Sequence, residues 1–309
     1  MNRPVVIGGA AVDMKGLAGA PLKPGASNLG AFRKSTGGVG LNIALNLAAL
    51  GADPVFISLV GDDGEGDFIT ARCREAGLAV DHVARVAGET TAVYEAILDA
   101  NGELFAGISA MSIFDRLTPA FLAPHAELIA SAPLVVLDAN PPEATAAWLA
   151  ALARDRGTPV WLEPTAFDTC VRQRDHLAGV AWISPNLEEL EALAGHAVDT
   201  PADMVAAAQA LRVRGVGEVF VTRGEGGVLH VHAGGADAVQ TPVIAARDVT
   251  GAGDAFAAGT AYGLLQGLDS TRALRCGLAT AYLTVQVSAS VHPRLTPALL
   301  EATVAACFP

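Results

Sequence analysis

The sequence predicts an α/β protein built on a mostly parallel central sheet, with a smaller β-sheet set against it. Three observations lead there. From Leu134 onward, short apolar runs alternate with helical stretches, the pattern of parallel βαβ units. Two glycine clusters, Gly37-Gly38-Val39-Gly40 and Gly251-Ala252-Gly253, each stand directly before an apolar helix. Residues 15–36 and a hairpin over 91–108 read as loops and strands, as expected for a separate sheet.

In chain order, residues 4–7 form a short buried-strand pattern ended by Gly8-Gly9 and leading to Asp13. An acidic residue just beyond a core strand is well placed to meet a sugar hydroxyl. Residues 15–36 are rich in Gly, Pro, Lys and Ser and lack helical periodicity, so they read as edge strands and loops carrying Ser27 and Asn28. A helix follows over 43–50, closed by Gly51. Asn42, just before it, offers both a donor and an acceptor to a vicinal diol. Ile43 stands where a dinucleotide fingerprint needs its third glycine, which disfavours a Rossmann dehydrogenase. Residues 55–60 read as a strand and 65–76 as a helix. Strands at 91–98 and 103–108 flank Asp99-Ala100-Asn101-Gly102, a strong hairpin signal.

Strand patterns at 134–137, 160–162 and 180–184 alternate with a helix at 143–155. Functional groups should gather at the C-terminal ends of such strands. Asp138, Asn140 and Glu163 fall there, the first two placed for a sugar and Glu163 nearer the phosphate and metal region. Asn186-Leu187-Glu188-Glu189 opens another helix, and a strand at 219–222 runs into the turn Arg223-Gly224-Glu225-Gly226-Gly227. His230 and His232 share a strand face, but two ligands are too few for a metal site, and they read as packing or surface residues.

The chemistry concentrates at Asp248-Val249-Thr250-Gly251-Ala252-Gly253-Asp254-Ala255-Phe256. The first amides of a helix lack intrahelical partners and lie at the positive end of its dipole, so they suit phosphate. Asp254 in that first turn supplies a carboxylate that the dipole should keep ionised. An anion cradle beside a carboxylate fits phosphoryl transfer, in which a hydroxyl is positioned, its proton accepted and phosphoryl charge stabilised.

Composition narrows the field. With 51 % hydrophobic and 17 % charged residues, the 309-residue chain can bury a large core. A net charge of −12 argues against affinity for nucleic acid polymers or anionic membranes. The apolar start is too short for a signal peptide, no run is long enough to span a membrane, and the four scattered cysteines suit a reducing, cytoplasmic setting. None of the lysines, Lys15, Lys23 and Lys34, follows a glycine, so a Walker A loop is impossible and helix N-termini and metal must handle any phosphates.

The nonapeptide at 248–256 resembles the C-terminal signature of the ribokinase-like (PfkB) family of sugar and nucleoside kinases, and Gly37-Gly38-Val39-Gly40-Leu41-Asn42 its N-terminal sugar-binding motif. The resemblance spans essentially the whole chain. It implies one three-layer α/β/α domain over 1–309 with lid strands roughly within 14–36 and 91–108, and a homodimer formed through the lid. It implies ATP and Mg²⁺ as cofactors, and K⁺ held by the loop over 285–293 and carbonyls preceding the catalytic segment, with Asp248 and Thr250 as signature-side contributors. Asp254 would be the base and the Gly251, Ala252 and Gly253 amides the cradle. Asp13, Ser27, Asn28, Gly37, Gly38, Gly40, Asn42, Asp138 and Asn140 would bind the acceptor. Asn186 and Glu189 would place the Mg²⁺–nucleotide complex through water, with Thr222, Gly224, Gly226 and Gly227 on ATP.

Within the family, Ala26-Ser27-Asn28-Leu29-Gly30, Glu89-Thr90-Thr91-Ala92-Val93-Tyr94 and Leu98-Asp99-Ala100-Asn101-Gly102-Glu103 look most like the pseudouridine kinase branch. That branch phosphorylates the 5′-hydroxyl of a C-nucleoside. The sequence departs from it at Leu29, at Leu41 where an Arg is usual, at Glu163-Pro164, and at Ser109-Ala110-Met111-Ser112, which is poor in Asp and Asn. Fewer polar groups near the base relax its readout. The alternatives are a ribokinase, adenosine kinase or fructokinase-like enzyme, or a silent nucleoside-binding protein.

Overall fold

The computed structural model describes residues 3–308. Met1, Asn2 and Pro309, the ends of the expected 1–309 domain and the first residues of the leader reading, lie outside the described residues. In chain order the elements are β1 (Val5–Ile7), β2 (Ala11–Ala18), β3 (Gly30–Gly37), α1 (Val39–Ala49), β4 (Val55–Gly61), α2 (Gly64–Glu75), β5 (Val83–Val86), β6 (Ala92–Leu98) and β7 (Leu104–Ala110). Then come α3 (Pro119–Leu122), α4 (Ala126–Ala130), β8 (Val135–Asp138), α5 (Glu143–Arg156), β9 (Val160–Glu163), α6 (Phe167–Gln173), β10 (Trp182–Ile183), α7 (Leu187–Ala194) and α8 (Pro201–Val213). The chain finishes with β11 (Glu218–Thr222), β12 (Val228–His232), β13 (Gly235–Val239), α9 (Ala252–Leu265), α10 (Ser270–Thr284) and α11 (Pro297–Cys307).

The main sheet runs β13-β12-β11-β10-β9-β8-β1-β4-β5. From β11 to β5 every pairing is parallel, and β12 and β13 are added antiparallel. Strands β1, β4, β8 and β9 are buried along their whole length, because helices cover both faces. Val6, Phe56, Val136, Trp161 and Phe220 pack on one side with α1, α9 and α10. Val5, Ile7, Val55, Leu137 and Val219 pack on the other with α5, α7 and α8. This is the three-layer α/β/α arrangement, and no helix among the described residues is long and apolar enough to cross a membrane.

The smaller sheet runs β3-β2-β6-β7, with Asp13 opposite both Ser35 and Tyr94. Its outer strands β3 and β7 are largely exposed. The expected hairpin is present, with Gly102 at φ 87 and the Asp99 carboxylate accepting from the Asn101 and Glu103 amides at 2.8 and 2.9 Å.

Some elements differ from expectation. Helix α1 starts at Val39, four residues early, because Gly38 at φ 95 turns the chain directly into it. The strand expected over 180–184 keeps only Trp182 and Ile183, since the Val180 amide bonds back to Leu177 and Ser184 turns toward Glu163. His230 and His232 are packing residues as expected. His230 is buried against Phe220 with Glu218 at 2.7 Å, and His232 meets Asp237 at 2.8 Å.

Candidate active site

Helix α9 has Gly251 as its N-cap in the left-handed region at φ 79. The turn before it is shaped by Asp248, whose Oδ1 accepts from the Thr250 amide at 2.9 Å. Among the described residues the Gly253 and Asp254 amides have no protein acceptor, and a side chain added at Gly253 would meet nothing within 4 Å. Two free amides at a helix N-terminus, facing open space, are the elements of a phosphate cradle.

Asp254 projects from the same turn and accepts a hydrogen bond from Asn42 Nδ2 at 2.7 Å. Asn42 belongs to α1, so the two glycine-led helices meet side chain to side chain. Asn42, expected on the acceptor's diol, holds the carboxylate and also lines the acceptor-side cavity. The expectation that the helix dipole keeps Asp254 fully ionised needs correction. Burial, with the Asp138, Glu189 and Asp13 carboxylates adding to it against the Asn42 bond, pushes Asp254 from 3.8 to about 7.

The sign follows from proton linkage. The native state holds a proton on Asp254 that the unfolded chain has lost between those two values, so ionising Asp254 lowers stability as pH rises through that window. A base must be ionised to act. The free enzyme's kcat/KM should therefore fall about tenfold per pH unit below about 7, read from ADP release across pH at fixed ionic strength.

On the acceptor side, Asp13, Thr36 and Asn42 line a cavity of about 1050 Å³ together with Lys15, Arg33 and Asp248. Asp13 lies against Gly37, where an added Cβ would come within 2.4 Å of its carboxylate oxygens. Burial raises the Asp13 pKa, with Lys15 opposing. Asp138 does not meet an acceptor as expected. It is fully buried, Oδ2 accepts from the Gly9 and Gly40 amides at 2.7 and 2.9 Å, and Oδ1 accepts from Asn140 N at 3.1 Å. It ties β1, α1 and β8 together, and burial raises its pKa. Asn140 stays partly exposed beside it. Gly38 and Gly40 pack against Gly8 and Gly9 rather than against open space. Ser27 and Asn28 are exposed and outside the cavity wall, and the Asn28 amide closes its own loop onto Lys23 and Ala26.

On the other side of the cradle, a cavity of about 270 Å³ is walled by Thr222, Gly224, Gly227, Ala252 and Gly253. Gly226 is not on its wall, and its carbonyl accepts from the Arg223 guanidinium. Val228, Ile244, Phe256, Leu278 and Tyr282 supply an apolar lining, as a nucleotide base requires. Sequence reasoning missed most of them because ordinary core residues on α10 and in the 240–250 loop carry no motif.

Asn186 and Glu189 form a reciprocal capping box on α7, each side chain bonding the other's amide at 2.9 Å. Burial nonetheless raises Glu189, with Glu188 adding to it. Behind it Glu163 accepts from Ser184 and from Trp161 Nε1 and is raised well above the usual range, by burial first and then by Glu189 and Asp254. Among the described residues no three carboxylate, histidine or cysteine side chains form a metal-holding group by themselves.

One contact was not foreseen. Lys15 of β2 reaches across to the signature, placing Nζ 3.2 Å from Thr250 Oγ1 and 3.6 Å from Asp248 Oδ2. Partial burial works the other way, but the bonds from Thr250 and Lys15 hold Asp248 below its ordinary pKa.

Comparison with known proteins bears on this site. The chain matches the pfkB family of carbohydrate kinases over residues 1–297. It is 32 % identical over 293 residues to the pseudouridine kinase of Escherichia coli (strain K12), covering 94 % of this chain and 93 % of that protein. Identity to the guanosine-inosine kinase of Exiguobacterium acetylicum is 31 % over 304 residues, covering 98 % of this chain and 99 % of the other. The structure of Arabidopsis thaliana ribokinase complexed with ribose and ATP superposes with a TM-score of 0.86 at 25 % identity, covering 98 % of each chain.

Proposed function

Because the chain belongs to the pfkB family of carbohydrate kinases and is a kinase transferring phosphate to a hydroxyl group, we propose that its acceptor is pseudouridine. The product is pseudouridine 5′-phosphate. The observation that carries the phosphoryl-transfer reading is Asp254 held by Asn42 beside the free amides of Gly253 and Asp254. The similarity to a pseudouridine kinase over nearly the whole chain supports the choice of acceptor.

In this reading Asp13, Asn140 and the segment from Gly37 to Gly40 seat the ribose. Ser27 and Asn28 reach it only if the small sheet, acting as a lid, swings their loop inward. Asp254 takes the 5′-hydroxyl proton late in a loose transition state, and the turn from Gly251 to Gly253 receives the moving phosphoryl on the free Gly253 and Asp254 amides, the Ala252 amide being taken by Val249 O at 3.2 Å. The base and ribose of ATP occupy the cavity beside Thr222, Gly224 and Gly227, with Gly226 shaping the turn and Asn186 set outside the cavity wall. Glu189 and Glu163 are the carboxylates that would hold Mg²⁺ through water. Burial raises both pKa values, and the Glu189 charge raises that of Glu163 further, a repulsion that a cation between them would relieve. The ion would supply positive charge against the phosphate oxygens.

Phe32 and Ile108 are each 70 % exposed on the lid sheet, an apolar surface suited to a homodimer through the lid. ATP use and four unpaired cysteines suit a cytoplasmic location.

ADP release should be compared across pseudouridine, uridine, adenosine, ribose and fructose. Pseudouridine should exceed each of the others by at least about tenfold in kcat/KM, the discrimination that one or two polar contacts supply. Preference for a free sugar would overturn the acceptor and leave the kinase chemistry standing. The similarity to a guanosine-inosine kinase makes another nucleoside the second reading.

A further inference from the structure

A free monovalent cation does not fit Asp248 and Thr250 as they stand. Asp248 Oδ1 is taken by the Thr250 amide, and the Lys15 ammonium lies against both Asp248 Oδ2 and Thr250 Oγ1. Potassium needs a ring of free oxygens, and here the two side-chain oxygens nearest the signature already face a positive charge. Arg33, the cross-strand neighbour of Lys15, and Arg247 line the same cavity, and neither guanidinium has a carboxylate partner among the described residues. An arriving cation would meet these charges in the same cavity, against the carboxylates of Asp13, Asp248 and Glu75, the last already paired with Arg72.

We infer that Lys15 supplies, as a tethered ammonium, the charge that a bound monovalent ion would supply at Asp248, so that this enzyme works without potassium. Asp248 shapes the turn into Gly251, and a cation on its outer oxygen holds that carboxylate in place while its inner oxygen fixes Thr250. Lys15 lies two residues after Asp13 and on the same face of β2, so the strand that seats the acceptor also delivers the charge. Lys15 is thus a positioning residue for the cradle. Its effect depends on where the small sheet stands, whereas that of a free ion would depend on its concentration. The inference rests on the kinase activity and not on pseudouridine, and any acceptor that turns over serves to test it.

The test compares wild type and Lys15→Met in potassium chloride and in tetramethylammonium chloride at equal ionic strength, by ADP release and separately by thermal unfolding. Wild-type turnover should agree within about twofold between the salts, and its melting temperature should not depend on potassium. Lys15→Met should lose at least about tenfold in tetramethylammonium, recover most of it in potassium, and melt higher as potassium rises, because a preorganised charge beside the phosphoryl site is missing. Stimulation of wild type by potassium of about tenfold or more would overturn the inference. So would a variant whose rate and melting temperature ignore the salt. The wild-type comparison stands even if the variant does not fold, and the melting comparison stands even if no acceptor on the panel is accepted.

Discussion

Asp254→Asn should lower turnover by about two to four orders of magnitude, the range expected for loss of a positioned base. Asparagine is nearly isosteric, so one side-chain atom can still face Asn42 and the first turn of α9 keeps its shape. Only the proton acceptor is lost. ATP binding, followed by calorimetry without acceptor, should change little, because the Thr222–Gly227 side of the cleft is untouched. The variant should also melt higher than wild type at pH 8. Wild type there carries an ionised Asp254 among the Asp13, Asp138 and Glu189 carboxylates, and the amide does not. Near-normal turnover would remove Asp254 from the role of base.

The next largest effect is expected at Gly251→Ala. A Cβ there would lie 2.8 Å from Ser290 Cβ and 2.9 Å from its Cα, and the residue sits at φ 79, where an L side chain costs about 1–2 kcal/mol. The turn has to shift, and with it the amides that receive the phosphoryl. Misaligned donors of this kind cost about 10² to 10³ in kcat. Gly253→Ala is the control for folding, since its Cβ meets nothing and its melting temperature should match wild type. Measuring kcat and melting temperature for both variants separates strain from lost alignment. A Gly251→Ala enzyme with full turnover would mean that the cradle tolerates a displaced turn and that the free amides are not the stabilising donors.

Much of the fold is legible in the sequence. The buried strands β1, β4, β8 and β9 announce themselves as apolar runs, and the glycine-led starts of α1 and α9 as breaks ahead of apolar helices. Strands β5 and β13 did not. The first is four residues and only half-buried, the second is mostly exposed edge, so neither leaves a periodic trace. The site was legible as residue types but not as pairs. Asn42 and Asp254 are 212 positions apart, and only the packing of α1 against α9 makes one the partner of the other. Asp138 was placed correctly at a strand end, yet nothing local shows that backbone amides would occupy it. No glycine precedes Lys15, but that test recognises one kind of phosphate loop and is blind to a lysine brought in on a strand.

The Asp138 staple also sets an order for assembly. Strand β1 is sandwiched between β4 and β8, so it has only one neighbour until the chain has been made past residue 138. The carboxylate that gathers the Gly9 and Gly40 amides arrives with β8, 129 and 98 positions later. Before then, a nascent chain can complete β2, β3, β6 and β7 and lay α1 on β1 and β4, where the Leu41 amide reaches Gly9 O at 3.0 Å, but it lacks the carboxylate that staples them. Pairings this distant are slow to close, and the part of α1 that meets β8 and α9 waits uncovered meanwhile. Chaperone demand during synthesis should thus be greatest while the first half of the chain stands alone, and should ease as β8 docks.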